Sequence, residues 1–439
     1  MASGFGDLLA TMRRNDGAGT RRMETEQPKY DTEFSTLPIY QQMVFQREFA
    51  AFAGFKNPYY RIHDERAGAH SRIEGRPVIN FASYDYLGLN GHPEVIAASE
   101  AATRQFGTSV SASRISAGER QVHRDLELAL AANYDAEDCI VFVSGHASAI
   151  STIATLLGPK DLILHDAVIH NCIVVGAQLS GATRRNFAHN DLDHLEAMLQ
   201  GDRSRFNRVM IVSEGLFSMD GDGPDLARLV EIKEKYGAWL MMDDAHALGV
   251  LGKTGRGIFE AQGVDPRRVD MWLGTLSKSL VSCGGYVAGS STLVDILKHQ
   301  APGFVYSVGM PAGNAAAAAK ALEMMQREPE RVERLQSNSR AFREQARAAG
   351  LDVAQSWGVG VIPVIVGETV RTVLLAEKLL ARGINAFPIL PPGVPEKSAR
   401  LRFFINATHT PEEITQTVQL VAEEMAAIEG VTLSSIRKG

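Results

Sequence analysis

Two apolar runs in this chain end in groups able to do covalent chemistry. Val269-Asp-Met-Trp-Leu breaks at Gly274 and delivers two hydroxyls and an amine, at Thr275, Ser277 and Lys278. A lysine at a dry strand end loses its proton near neutral pH, because burial disfavours the charged form. The free amine is then a nucleophile toward carbonyls. Ala238-Trp-Leu-Met-Met242 stops in the same way at Asp243-Asp-Ala-His246, and a Ser218-Met-Asp-Gly221 turn precedes it. In that order the three segments read as successive strand ends facing one crevice.

Such a set suggests a pyridoxal phosphate (PLP) site. Lys278 would hold the aldehyde as a Schiff base, and Asp243 would keep the pyridine nitrogen protonated so that the ring accepts electrons. Taken singly, Lys278 reads as a solvated lysine and Asp243 as a cap or loop acid; their order and spacing favour the site. Asp243, Asp244 and His246 have the donor types of a divalent-metal site, but no further spaced ligands accompany them and no metal is expected. Gly252-Lys-Thr254 resembles part of a phosphate-binding loop, yet position 247 is alanine where a second glycine is required, so it reads as a glycine-rich loop.

The elements that must position these groups follow from the hydrophobic pattern. Short apolar strands alternate with helices from Pro93 to about Gly289: Cys139–Val143, Leu162–Leu164, Thr183–Phe187, Val209–Ser213, Trp239–Met242, Met271–Leu273 and Gly285–Ala288. This alternation predicts an α/β fold, a mostly parallel seven-stranded sheet with ligands at the strand C-termini. Gly285–Ala288 follows the lysine so closely that it should run antiparallel. Residues 1–35 read as a polar arm with too little apolar surface to order itself, and a helix is expected over Leu37 to Phe55. Tyr59–His63 and Pro77–Phe81 read as an edge hairpin. The domain boundaries drawn are 1–35, 36–90, 91–312 and 313–439. The last comprises linking helices and a smaller α/β unit with strands near Val361–Val366, Ile384–Phe387 and Leu401–Ile405. Thr410-Pro-Glu-Glu413 is a capping box opening the terminal helix.

With 439 residues, 45% apolar and 22% charged, the chain has the composition of a globular protein of more than one domain. A formal net charge of -6 gives no reason to expect nucleic acid or an anionic membrane. No apolar run approaches spanning length. Cys139, Cys172 and Cys283 lack metal spacing, which points to reduced thiols and a cytoplasmic protein.

From Phe45 to the terminal helix the chain resembles the α-oxoamine synthases, PLP enzymes of fold-type I, and most of all those associated with polyketide synthases. The resemblance rests on Thr275-Leu-Ser-Lys278, Asp243-Asp-Ala-His246, Asp166-Ala-Val-Ile-His-Asn171, Glu214-Gly-Leu-Phe-Ser-Met-Asp-Gly221, Gly107–Ile115 and Ala301–Pro311. It implies that Lys278 is the Schiff-base lysine, Asp243 the pyridinium partner, His246 the donor to the phenolic oxygen and His170 the residue stacked on the ring. It implies further that Ser218 lies near the phenolic oxygen. The amides of Gly145 and His146, with the hydroxyls of Thr275 and Ser277, hold the phosphate, joined by Ser307 from the second subunit of a homodimer with shared sites. Arg402 holds the substrate carboxylate, with Arg400 as the alternative, and Asp85 and Arg114 are further substrate contacts. Family members commonly carry Asn where this chain has Asp85. An ionised Asp85 would repel the substrate carboxylate, so it is protonated, faces another group, or the pose differs. The implied reaction condenses a small amino acid (serine, alanine or glycine) with an acyl thioester of carrier protein or coenzyme A, releasing carbon dioxide. An aminotransferase or aldolase of the same fold would share these strand ends.

Overall fold

The computed structural model describes residues 31–52 and 54–431, which fall into two units, one ending at Gly54 and one beginning at Phe55. In the first, a turn at Phe34–Thr36 leads into the helix Pro38–Phe52, close to the span expected. Apolar side chains of that helix stand open, Ile39 being 68% exposed. Most of the expected polar arm, residues 1–30, lies outside the described residues.

The second unit opens on a hairpin of β1 (His70–Ile73) and β2 (Arg76–Asn80). This corrects the expected pairing partner: Tyr59–His63 is not a strand, and His63 makes only an isolated bridge to Ile73. The turn explains the difference. Glu74 and Gly75 both have positive φ, 50° and 73°, the left-handed geometry that a two-residue hairpin turn requires. Glutamate is a poor advertisement for that conformation.

Seven further strands form the large sheet: β3 (Asp138–Phe142), β4 (Leu162–Asp166), β5 (Thr183–Phe187), β6 (Val209–Glu214), β7 (Trp239–Asp243), β8 (Met271–Thr275) and β9 (Gly285–Gly289). They stand in the order β3-β9-β8-β7-β6-β4-β5, parallel from β5 to β8. Strand β9 runs antiparallel to both of its neighbours, as its position after the lysine required. Apart from the edge strand β5, whose Arg184, Arg185 and Asn186 are exposed, these strands are nearly continuous apolar runs because helices cover both faces. Side chains alternate between two cores: Leu164, Ile211, Leu240 and Trp272 feed one, and Ile163, Met210, Met241 and Leu273 the other. Short polar side chains, Ser144, Asp191, Asp225 and Ser290, cap the helices that follow the strands.

The helices Ala312–Arg327 and Glu330–Ala348 lead to the smaller C-terminal domain. There β10 (Val361–Gly367), β11 (Ile384–Asn385), β12 (Phe387–Ile389) and β13 (Ala399–Phe404) precede the helix Pro411–Ala427, whose start carries the expected capping box of Thr410 and Glu413. The single strand read over Ile384–Phe387 breaks at Ala386. Its first half pairs with β2 and its second with β13, so the chain changes sheets there. Among the described residues no helix is long and apolar enough to cross a membrane. What the fold supplies to function is one sheet edge, where β4, β6, β7 and β8 end in Asp166, Glu214, Asp243 and Thr275.

Candidate active site

Immediately after β8 the backbone folds on itself. The amide of Leu276 donates to Gly284 O at 2.9 Å, Ser282 N to Leu276 O at 2.8 Å and Val281 N to Lys278 O at 3.0 Å. Val281 takes a φ of 43° to close this turn, a conformation unfavourable for a β-branched residue. The turn presents Lys278 to a cavity of about 380 Å³ shared with Tyr84, Asp85, Asn90 and Ser282. The Lys278 Nζ stands 5.9 Å from the centre of the Tyr84 ring. Burial brings its pKa down to about 8, against the pull of the carboxyls of Asp243 and Glu214.

Asp243 closes β7 and is 7% exposed. One of its oxygens accepts the Ala245 amide at 3.0 Å. Burial raises its proton affinity, while the Lys278 cation opposes that rise. His246, three residues on, is buried and held well below the usual imidazole pKa, so it is neutral. Its Nδ1 lies 2.7 Å from the hydroxyl of Tyr86, and its ring stacks on Phe404 at an interplanar angle of 6°. His170 caps the helix Asn171–Ser180: its Nδ1 accepts from Cys172 N at 3.3 Å and lies 3.0 Å from the thiol. Burial also lowers its proton affinity, although Asp243 pulls the other way. His146 crosses it edge-on, with ring centres 6.5 Å apart.

The donor set fits a phosphate. Among the described residues, no acceptor pairs with the amides of Gly145 and His146 at the start of the helix Gly145–Leu156. Thr275 Oγ1 and Ser277 Oγ, 2.8 Å apart, belong to the adjacent turn. A Cβ on Gly145 would come within 3.1 Å of the Thr275 side chain, and one on Gly285 within 2.4 Å of Gly145 itself. The two glycines therefore let the helix start, with its partial positive charge, approach the strand ends closely.

The two candidate arginines divide cleanly. Arg402 is 7% exposed, donates to Ser218 O at 3.1 Å and lies 4.5 Å over the Phe404 ring. Its Nε is buried without a partner, and no carboxylate pairs with it among the described residues. Arg400 instead is committed to Asp220 at 2.6 Å. Arg402 therefore keeps a charge and a buried N–H that an anion could satisfy, whereas the charge of Arg400 is already met by Asp220.

Two expected substrate contacts have other occupations. Arg114 is buried and spends its guanidinium on Glu119 at 2.7 Å and Glu127 at 2.6 Å. Asp85 lines the Lys278 cavity, but its two oxygens accept the amides of Leu89 and Asn90 at 2.8 and 3.1 Å. Burial lifts its pKa to about 6 even so. Ser307 sits on an exposed loop; its hydroxyl donates to Val308 O at 3.2 Å and its amide to Phe304 O at 3.4 Å, and among the described residues it bonds to none of the other candidates. Ser218 joins them through its carbonyl. Tyr84, Tyr86 and Glu214 were not singled out from sequence, although the first two flank Asp85 and the third opens the quoted Glu214–Gly221 segment. Asp244 turns away toward Tyr134 at 3.3 Å, and no group of three metal-ligating side chains exists among the described residues. In the Gly252–Thr254 loop the amide of Thr254 donates to Glu260 at 3.1 Å, as does that of Arg256 at 3.0 Å.

Residues 76–421 match the family model described as aminotransferase class I and II. The 8-amino-7-oxononanoate synthase of Methylobacterium nodulans is 39% identical over 360 residues, 82% of this chain and 90% of that protein. The corresponding enzyme of Symbiobacterium thermophilum is 39% identical over 371 residues, 84% and 94% of the two chains. The serine palmitoyltransferase of Sphingomonas wittichii superposes with a TM-score of 0.86 at 29% identity, covering 90% of this chain and 100% of that one. With a lysine, an acid and a phosphate cradle at one sheet edge, the chain belongs to the class I and II aminotransferase family and, within it, to the α-oxoamine synthases, PLP-dependent acyltransferases of fold-type I.

Proposed function

We propose that the enzyme condenses a small amino acid with an acyl thioester, releases carbon dioxide and the thiol, and yields an α-amino ketone. The observation that carries this reading is the buried guanidinium of Arg402, which has no carboxylate partner among the described residues and lies near enough to Lys278 to act on its charge, a seat for the amino-acid carboxylate that is later lost. The kinship with 8-amino-7-oxononanoate synthases and a serine palmitoyltransferase supports the reaction class.

When bound, PLP supplies an aldehyde that captures amines and a ring that accepts electrons. Lys278, whose pKa of about 8 keeps part of its population neutral at physiological pH, is the base for the amino acid's α-proton. Asp243 provides the single charge that stabilises a protonated ring nitrogen. His246 is a neutral donor: the Tyr86 phenol, buried and with no other acceptor among the described residues, donates its hydrogen bond to Nδ1 and keeps its proton. The imidazole proton then sits on Nε2. Arg402 grips the carboxylate and, with His170, orients the bond that breaks. Gly145, His146, Thr275 and Ser277 hold the phosphate, and Ser307 reaches it from the second subunit of a homodimer. The exposure of Tyr306 at 86% and Val308 at 49%, on the loop bearing Ser307, supports that assembly.

Serine, alanine and glycine are the amino acids proposed, with acyl carrier protein favoured over coenzyme A as the thioester carrier. The test incubates the holoenzyme with each amino acid and both carriers, and identifies the ketone by mass. Thioester-dependent release of carbon dioxide is expected. Transfer of the amino group to a keto acid, or release of an aldehyde, would instead mark an aminotransferase or aldolase.

A further inference from the structure

Glu214 ends β6 directly opposite Asp243 on β7, in register. Both side chains are hidden, at 4% and 7% exposure. Neither has an ion-pair partner at bonding distance among the described residues; their nearest charges act through space. Two carboxyl groups placed side by side in a dry sheet edge do not ionise together, so the pair keeps one proton. What faces them decides where it resides. Asp243 has the Lys278 amine and the Ala245 amide to stabilise its charge. Glu214 faces Asp243 itself and, from β4, Asp166; Lys278 is the one nearby cation, and Cys172 is a buried neutral thiol. Among the described residues, the one hydrogen bond that the Glu214 side chain receives is the backbone N–H of His170, 2.8 Å from Oε1.

We propose that Glu214 works as a neutral carboxylic acid, a positioning residue that seats His170 through Oε1 and leaves Asp243 as the sole anion of the pair. The bond ties the end of β6 to the residue that caps the helix Asn171–Ser180. Cys172 holds the same histidine from the other side, through its amide and thiol on Nδ1. His170 is thus fixed in backbone and ring by two residues that carry no charge. An ionised Glu214 would spread negative charge over two strand ends and raise the proton affinity of everything facing them, Lys278 included. The inference rests on the roles given above to Asp243 and His170.

The test compares the wild-type holoenzyme with Glu214→Gln, a neutral isostere, and Glu214→Ala. Infrared difference spectra, wild type minus E214Q, should contain one protonated-carboxyl stretching band. A pH titration of the bound cofactor's absorbance should give E214Q a midpoint within about 0.3 unit of wild type, because no charge has been removed. E214A should lose at least about tenfold in kcat as His170 loosens, and E214Q should recover most of that loss. The proposal is overturned if the carboxyl band is missing, if E214Q moves the midpoint by about one unit or more, or if E214Q is as impaired as E214A. Should E214A fail to fold, the infrared and absorbance comparisons of E214Q still decide. If wild type makes no ketone from any amino acid, the proposed reaction falls, while the same two spectra continue to report on Glu214.

Discussion

Replacing Arg402 by glutamine should separate substrate binding from stability, because its guanidinium is buried with nothing to neutralise it. The side chain meets Ser218 O at 3.1 Å and the Phe404 ring at 4.5 Å, and its Nε meets nothing. A charge-assisted, two-pronged bond to a carboxylate in such a place is worth about 2–4 kcal/mol, or roughly 30- to 700-fold in kcat/KM for the amino acid. The same substitution removes an uncompensated buried cation, so the melting temperature should hold or rise. Arg400→Gln runs the opposite way. It strands Asp220, whose side chain is 22% exposed, at a cost of about 1–2 kcal/mol once solvent screening is allowed for. At roughly 2.1 cal/mol/K of unfolding entropy per residue, a chain of this size loses about 1–2 °C for that change. Steady-state kinetics at saturating thioester, with the amino acid varied, and calorimetry of the holoenzyme measure both effects. The reasoning is refuted if R400Q raises KM as much as R402Q does, or if R402Q is the less stable of the two.

Lys278→Ala should abolish turnover and leave a folded protein. The wild-type apoprotein should capture PLP at a rate that climbs with pH around a midpoint near 8, followed by absorbance in stopped flow; a midpoint above 10 would mean an ordinary, solvated lysine. Arg114→Ala should leave the amino-acid KM unchanged but lower the denaturation midpoint, since the wholly buried Glu127 loses its nearest cation and keeps Arg124 and Lys298 at 3.5 Å each, at a cost of about 1–3 kcal/mol; a raised KM at intact stability would place Arg114 with the substrate. His189 bridges Asp166 at 2.8 Å and Asp222 at 3.1 Å, and these acids lift its pKa to about 10 against the desolvation that lowers it. Its stabilising contribution is complete below the unfolded value near 6.5 and is lost as pH rises through 10. Unfolding free energy should therefore decline across that window in wild type and stay flatter in His189→Gln.

The parts of the site that could be read from sequence are those whose chemistry coincides with a break in an apolar run. Lys278, Asp243 and His246 each follow a strand that the hydrophobic pattern marks by itself, and the parallel order of β6, β7 and β8 brings their ends together. The ion pairs of Arg114 are not legible in the sequence because its partners are made by folding: a salt bridge to Glu127, thirteen positions on, leaves no periodic trace. Asp85 shows the same limit at shorter range, since only the turn geometry reveals that Leu89 and Asn90 claim its oxygens. Tyr84 and Tyr86 were passed over because in a turn rich in aromatics a tyrosine reads as packing. Their task depends on Lys278 and His246, which lie far along the chain. The β1–β2 hairpin was misplaced for want of any signal that Glu74 would accept a positive φ.

One strand of the smaller domain explains why the two arginines are not interchangeable. Arg400, Arg402 and Phe404 alternate along β13 and so point to the same face. Arg400 grips Asp220 and the Met219 carbonyl at 3.1 Å, which pins the loop after β6. Arg402 uses the next carbonyl back, that of Ser218, as its rest, leaving Nε free. Phe404 supports Arg402 on its ring and stacks on His246. Three successive positions of one face thus fix a loop, hold out a cation and steady the imidazole that Tyr86 orients. Because the cation belongs to β13 and the amine to the turn after β8, the distance between carboxylate seat and base is set by how the smaller domain rests on the Ser218–Asp220 loop. In the proposed reaction Arg400 would act only through that distance, which is why its loss should appear first in stability.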